Sequence, residues 1–184
     1  MSAGHGHGHG DHGGNKGVAL LISVLALILA FSETLGKSAQ TAGLAYNIEA
    51  SNLWAFFQAK TIRQTVLRTA AEQSAIAASS EQAKKQMDAW KKTADRYQSE
   101  PETGEGRNEL AARAKEAEKK RDRALAAYHH YELASAAVQI AIVLASASIV
   151  VSAPVLAWIG AALGVVGVVF SVIGFFAPTA VHLF

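Results

Sequence analysis

Apolar residues are concentrated near the two ends of the chain, and polar residues fill its middle. Residues 17–35 carry one charge, Glu33 near the end of the stretch, while residues 133–151 and 155–176 carry none. A helix needs about 20 apolar residues to cross a bilayer. The pattern therefore predicts an all-α integral membrane protein with transmembrane helices at 17–35, 133–151 and 155–176.

The first span has an alternative interpretation as a cleaved signal peptide. The sixteen residues before it hold a single basic residue, Lys16, and no clean small-x-small cleavage site follows it. We therefore favour a membrane anchor.

The second and third spans are separated only by residues 152–154, and Pro154 ends the second helix. Such a short connection predicts an antiparallel pair. Small residues recur at steps of four and three in both helices, and small residues let membrane helices approach closely. In the second span they are Ala134, Ala137, Ala141, Ala145, Ser148 and Ser152. In the third they are Ala153, Ala157, Gly160, Gly164, Gly167, Ser171 and Gly174, the last five being candidate helix-packing residues. The two faces pack together within one chain, or the glycine face packs on a second protomer through Gly160-x-x-x-Gly164; the sequence leaves both open.

The charged middle is rich in strong helix formers, and its turn residues cluster at 99–106. This predicts an antiparallel helical hairpin over residues 71–134, between the first and second spans. Heptad-like seams predict its contact faces. The incoming seam is Ile62, Val66, Thr69, Gln73, Ile76, Ser80, Ala83, Met87, Trp90, Ala94 and Tyr97. The outgoing seam is Leu110, Ala114, Ala117, Arg121, Ala124, Tyr128 and Tyr131.

The two sides of this hairpin differ in length. At about 1.5 Å per residue, the incoming path from Gly36 to Ser99 spans roughly 96 Å and the outgoing helix roughly 42 Å. We therefore expect residues 36–70 to turn aside, with bends at Gly36 or Gly43. This segment holds Trp54, Phe56 and Phe57, whose wide aromatic face suits the membrane interface or an oligomer contact. Ordinary packing between the helices is the third possibility.

Charge and composition narrow the function classes. The formal net charge is +2, and thirteen acids accompany sixteen bases between Glu33 and Arg123, so we expect a solvated helical surface and no nucleic-acid partner. Cysteine is absent, which excludes disulfides and thiolate chemistry. No phosphate loop, zinc-protease box or nucleophile elbow is present, and we expect no enzyme and no catalytic residue.

The N-terminal tail, residues 1–16, is glycine-rich and predicted to be disordered. It carries candidate metal ligands for Zn, Ni or Cu at His5, His7, His9, Asp11 and His12. The alternative is a polar leader without a metal. His129 and Glu132 are also spaced to share a metal, although a belt of Tyr and His at the membrane interface is the favoured interpretation.

The stretch NIEASNLWAFFQAKTIRQT, residues 47–65, resembles the signature of a bacterial membrane family called domain of unknown function 4337. The resemblance is carried by Glu49, Ala50, Ser51, Asn52, Trp54, Gln58, Ala59 and Lys60. It extends to the layout of tail, one membrane helix, charged helical section and C-terminal membrane hairpin. It implies family membership and no catalytic residue.

These observations favour a membrane-anchored interaction or scaffold protein that forms homo-oligomers in the lipid bilayer. The alternative is a small transport or channel subunit, linked to metal through the tail. The family resemblance implies the bacterial inner (plasma) membrane. Basic residues at the ends of the middle section place that section and the C-terminal tail, residues 177–184, in the cytoplasm, with the N-terminal tail outside.

Overall fold

The computed structural model of the protein describes residues 12–77 and 80–181, and within those ranges it contains four helices and no strand. Helix α1 is His12–Ala77, α2 is Glu81–Gln98, α3 is Arg107–Val150 and α4 is Pro154–Phe176. The prediction of an all-α protein is confirmed. Three of the four helices, α1, α3 and α4, are long and apolar enough to cross a membrane.

Helix α1 runs without interruption through both glycines at which a bend was expected. Gly36 and Gly43 are helical, and the helix continues to Ala77. The expectation that residues 36–70 turn aside at these positions is therefore wrong. Neither glycine breaks the helix, because a single glycine costs a helix only about 1 kcal/mol relative to alanine. The incoming side is instead divided nearer the hairpin turn, because α1 ends at Ala77 and a separate helix, α2, begins at Glu81.

The chain divides into two compact units. Unit 1 comprises the described parts of residues 1–41 and 123–184, and unit 2 comprises those of residues 42–122.

In unit 1 the helices meet through small residues. Gly160, Gly164, Gly167 and Gly174 of α4 are all buried. A Cβ atom on Gly160 would lie 2.8 Å from the carbonyl oxygen of Ala141, and one on Gly167 would lie 3.1 Å from that of Ala134. The glycine face of α4 therefore packs on α3 of the same chain, which is the first of the two alternatives left open by the sequence.

Helix α1 contacts the same face of α4. The side chain of Leu25 fills the space beside Gly164, and Leu25, Val138 and Ala141 form a buried cluster. The hydroxyl of Ser32 on α1 lies 2.9 Å from that of Ser171, the polar member of the small-residue row of α4, and the two form a hydrogen bond. All three apolar helices thus share one core in this unit.

Unit 2 contains three helical segments, and the break between the first two lies at residues 77–81 and not near residue 70, as predicted from the sequence. Its buried cluster joins Ala50 and Leu53 of α1 to Leu110, Ala114 and Ala117 of α3. Helix α2 begins at a Ser80 cap, whose side chain accepts a hydrogen bond from the Ala83 N–H, and it packs against α1 through Ala94. Residues 99–106 connect α2 to α3.

The predicted seams have different outcomes. Leu110, Ala114 and Ala117 are fully buried, so this part of the outgoing seam is correct. On α1 the incoming seam is wrong, because Ile62, Val66 and Ile76 are 61 to 90% exposed. The face of α1 that turns inward is displaced by two residues along the sequence, which is about 200° around a helix. Its members are Leu53, Phe57, Lys60, Gln64, Leu67, Ala71 and Ser74.

Candidate functional site

A buried lysine organises the polar interior of unit 2. Lys60 is only 6% exposed, and its Nζ lies 3.7 Å from Glu100 Oε2 and 3.8 Å from Glu105 Oε2. The same ammonium group lies over the rings of Phe56 and Tyr97, at 5.4 and 4.9 Å from their centroids. Carboxylates and aromatic faces both stabilise a cation that has lost its water. The charge of Lys60 therefore ties α1 to α2 and to the connection 99–106.

One turn further along α1, Gln64 makes a second set of bonds. Its Nε2 donates to the Ala94 carbonyl at 2.8 Å and to Gln98 Oε1 at 3.2 Å. Arg107 donates to the side-chain oxygens of both Gln64 and Gln98, and its guanidinium lies 5.0 Å from the Phe57 ring centroid. We call this group the Lys60 clasp; it comprises Lys60, Gln64, Gln98, Glu100, Glu105 and Arg107. Each of these side chains contacts a neighbour within the group, although Arg107 Nε is buried without a hydrogen-bond partner, and this pattern suits a structural role.

The aromatic residues of α1 pack beside the Lys60 clasp. Trp54 Nε1 donates to Glu118 Oε1 at 2.9 Å, and the Trp54 and Phe57 rings meet edge to face at 5.4 Å. Trp54, Phe56 and Phe57 are all partly buried against the Leu53–Leu110 cluster. Contacts within one chain account for this wide aromatic face, so neither lipid nor a second protomer is needed to explain it.

The connection before α3 is closed by Glu109. Its carboxylate accepts hydrogen bonds from the Ser99 hydroxyl at 2.6 Å and from the Glu100 N–H at 3.2 Å. The Ser99 bond, assisted by the backbone donors, holds the pKa of the Glu109 carboxyl below its ordinary value. Gly106 is buried beneath this carboxylate, and a Cβ atom there would collide with it and with the backbone of Glu100.

The opposite face of α1 in unit 2 is uncovered. We call it the outer face; its members are Ile48, Asn52, Ala55, Ala59, Ile62, Val66, Thr69, Gln73 and Ile76. Their spacing alternates four and three, and all are exposed except Ala59, which is half-buried. An apolar row with this period is typical of a helix that pairs with another helix.

Unit 1 contains an open cavity of about 440 Å³ between α1 and α3, whose lining surface is mostly apolar with several polar groups. Glu33, Lys37 and Gln40 line it from α1, and Glu132 and Gln139 line it from α3. Gln139 Nε2 donates to Glu33 Oε1 at 3.2 Å across the cavity. Tyr128 donates to Glu132 at 3.4 Å. Polar groups from two helices therefore converge beside the apolar segments.

The predicted metal ligands of the tail lie largely outside the described residues. This holds for His5, His7, His9 and Asp11, and for His12 only the backbone, at the start of α1, is described. Among the side chains that the structure describes, in residues 16–76 and 80–181, no three His, Asp or Glu lie close enough together to hold a metal. His129 Nδ1 and Glu132 Oε2, the other spaced pair, are 3.7 Å apart.

Sequence reasoning missed the Lys60 clasp, although Trp54 and Lys60 carried the family resemblance. A signal was available: Leu53, Phe57, Lys60, Gln64 and Leu67 alternate four and three like the seam that was chosen. Because this row includes a lysine and a glutamine, hydrophobicity alone gives it no advantage over the row of Ile62 and Val66.

Comparison with known protein families identifies a match over most of the chain. The family model described as "Domain of unknown function (DUF4337)" matches residues 14–177. No curated protein and no solved structure matches the chain.

Proposed function

The chain belongs to the DUF4337 family, and from this premise we propose that it is a membrane-anchored helical scaffold that works by self-association. The observation that carries the proposal is the outer face of α1. Three isoleucines on it, Ile48, Ile62 and Ile76, are separated by multiples of seven residues and are 61 to 90% exposed. An exposed apolar row of this length marks an interaction surface.

A second copy of the chain is the occupant we propose. Copies anchored by the same apolar helices in one membrane share their orientation, so two outer faces meet parallel and in register. In heptad terms the isoleucines then occupy d positions, and Asn52, Val66 and Gln73 occupy a positions. Each amide meets its own counterpart and can hydrogen-bond to it, and such polar a positions fix register in coiled coils.

The flanking charges agree with parallel pairing. Residues at g and at the following e position of the partner helix meet across such an interface. These pairs bring Leu44 to Glu49, Gln58 to Arg63 and Glu72 to Ala77. None of these pairs joins like charges, so no charge repulsion opposes a second copy at this face.

The proposed location is the bacterial inner membrane, with unit 2 in the cytoplasm. Lys37 lies at one end of the charged section, and Lys119, Lys120, Arg121 and Arg123 lie at the other. Basic residues beside membrane helices favour the cytoplasmic side. The proposal includes no enzymatic reaction.

Single cysteines test the pairing, and the natural absence of cysteine makes the background clean. Ile62→Cys and Ile76→Cys should each give disulfide-linked dimers when membranes are oxidised, because d positions face each other across a parallel pair. Ala75→Cys and Lys115→Cys are matched controls, since both positions are exposed and lie off the outer face. They should remain monomeric.

The same variants distinguish the other occupants. Failure of Ile62→Cys and Ile76→Cys to cross-link, combined with fast labelling by a polar maleimide, would leave the face in water and refute the proposal. Failure to cross-link combined with slow labelling would point to lipid or a different protein and would refute it as well.

A further inference from the structure

The cavity between α1 and α3 in unit 1 carries an inference that does not depend on pairing through the outer face. Its volume of about 440 Å³ falls within the range of small-ligand sites, which is roughly 300–1,000 Å³. Its lining residues, 32–40 of α1 and 128–139 of α3, span the point where the apolar stretch of α1 ends and that of α3 begins. Tyr128 and Tyr131 also line it, and tyrosine is favoured at the level of lipid headgroups.

Both signs of charge face this cavity from separate positions. Glu33 and Glu132 supply carboxylates from the two opposite helices, and Lys37 supplies an ammonium group from α1. Glu33 and Lys37 are spaced as an i, i+4 pair. Among the ion pairs of the described residues, however, none joins Lys37 to a carboxylate, and Glu33 instead accepts from Gln139. The cavity therefore presents an available cation next to two carboxylates.

The surface next to the cavity suits acyl chains. On α3, Ile140 and Val143 follow the cavity-lining Gln139 into the apolar segment, and they are 55 and 66% exposed. On α1, Leu29 lies one helical turn before Glu33 on the same face and is half-buried. A ligand with a charged head in the cavity would thus have apolar surface on both helices for its tails.

We propose that this cavity binds the headgroup of a phospholipid that carries a primary amine, of which phosphatidylethanolamine is the type. Lys37 binds the phosphate, and the Gln40 side-chain amide can donate to it. The ammonium group lies between Glu33 and Glu132 and donates hydrogen bonds to them. A quaternary headgroup lacks those N–H donors, and a glycerol headgroup lacks the positive charge, so both bind less well.

The test measures retention of three lipids by the detergent-purified full chain, using native mass spectrometry with equimolar phosphatidylethanolamine, phosphatidylcholine and phosphatidylglycerol. We expect about tenfold preference for the ethanolamine lipid over the choline lipid, the factor given by one charge-assisted hydrogen bond. Glycerophosphoethanolamine, which has the same headgroup and no tails, shows whether the headgroup alone suffices. Weak binding of this compound would identify the lipid as the ligand, and binding equal to the lipid's would assign the site to a soluble phosphoethanolamine.

Two variants separate the two halves of the headgroup. Lys37→Gln should weaken all three phospholipids, whereas Glu132→Gln should weaken the ethanolamine lipid most and the choline lipid less, and should reduce the preference between them because only Glu33 remains as an acceptor. Lys115→Gln, an exposed change in unit 2, should alter neither. Equal retention of the three lipids by the unaltered chain, or an unchanged preference in Glu132→Gln with a native melting temperature, would overturn the proposal.

Discussion

The two units of the chain use opposite means to bring helices together. In unit 1 the helices meet at glycines, which have no side chain, and Gly160 and Gly167 leave room for the backbone of α3. In unit 2 the contacts are made by large residues, with Trp54, Phe57 and the Lys60 clasp filling the space between helices. Apolar helices in lipid gain little from hydrophobic burial and depend on close packing, whereas helices in water can bury aromatic surface and bring paired charges with it.

This difference predicts that the stability of unit 1 falls when a side chain is enlarged at a helix contact. It also predicts that the stability of unit 2 falls when one member of an ion pair or hydrogen bond is removed. Each unit has its own tryptophans, Trp158 in unit 1 and Trp54 and Trp90 in unit 2. Variants can therefore be judged by which unit loses its structure first.

The largest effect is expected from Gly160→Leu. The nearest atom to the new side chain would be the backbone oxygen of Ala141, which cannot move aside by changing rotamer. Overpacking of this kind costs about 3 kcal/mol, the upper part of the usual range. The measurement is the thermal unfolding temperature in detergent. Val165→Leu is the control, since Val165 is 63% exposed on the same helix, and an equal melting temperature in the two variants would show that the glycine face is not closely packed.

A smaller loss, about 2 kcal/mol, is expected from Lys60→Met, which keeps the aliphatic stem and removes the charge. Glu100 and Glu105 then lose their buried partner, and the cost falls below that of a fully buried pair because Glu105 is half exposed. Lys115→Met, an exposed lysine of the same unit, should leave the unfolding temperature unchanged. If the two methionine variants unfold at the same temperature, the charge of Lys60 contributes nothing to stability.

These two sites also show how far the sequence could be read. The small-residue row of α4 was predictable because its period is regular and an uncharged stretch of this length suits lipid. Choosing between a partner within the chain and one outside it required the structure, since Ala141 and Ala134 are 19 and 33 residues away from the glycines that they contact.

The inward face of α1 was not predictable from hydrophobicity. Ile62 and Val66 are apolar and exposed, while Lys60 and Gln64 are polar and buried. A polar residue can be buried when its partners are present, and those partners come from Ala94, Gln98 and the connection 99–106, about 30 to 45 residues later in the chain. The sequence pattern carries the period of a seam, but it does not reveal which of two opposite rows has such partners.

Trp54→Phe should lower the free energy of unfolding by about 1 kcal/mol, the usual net value of one hydrogen bond, and should act on unit 2. The measurement is again the unfolding temperature. The variant keeps the edge of the aromatic packing and removes the indole N–H that donates to Glu118 at 2.9 Å. Trp158→Phe alters a tryptophan that is 77% exposed on α4 and should leave the unfolding temperature unchanged. An unchanged unfolding temperature in Trp54→Phe would mean that a hydrogen bond from water to Glu118 replaces the indole bond without loss of stability.

The smallest effect concerns pH and the carboxylate that closes the connection before α3. The pKa of Glu109 lies below its ordinary value of 4.5 in the folded chain, chiefly because the Ser99 hydroxyl donates to the ionised carboxylate. A lowered pKa means that the ionised form favours the fold, so the contribution is fully present above that ordinary value and is lost as the pH falls through the folded pKa. Glu109→Gln does not titrate, and it should melt slightly below the unaltered chain at pH 7 and together with it in acid. Ser99→Ala removes the main cause of the lowered pKa of Glu109. In that background, Glu109→Gln should therefore lower the melting temperature at pH 7 by a smaller amount. A gap between Glu109→Gln and the unaltered chain that persists unchanged below the ordinary pKa would assign the effect to side-chain shape and not to charge.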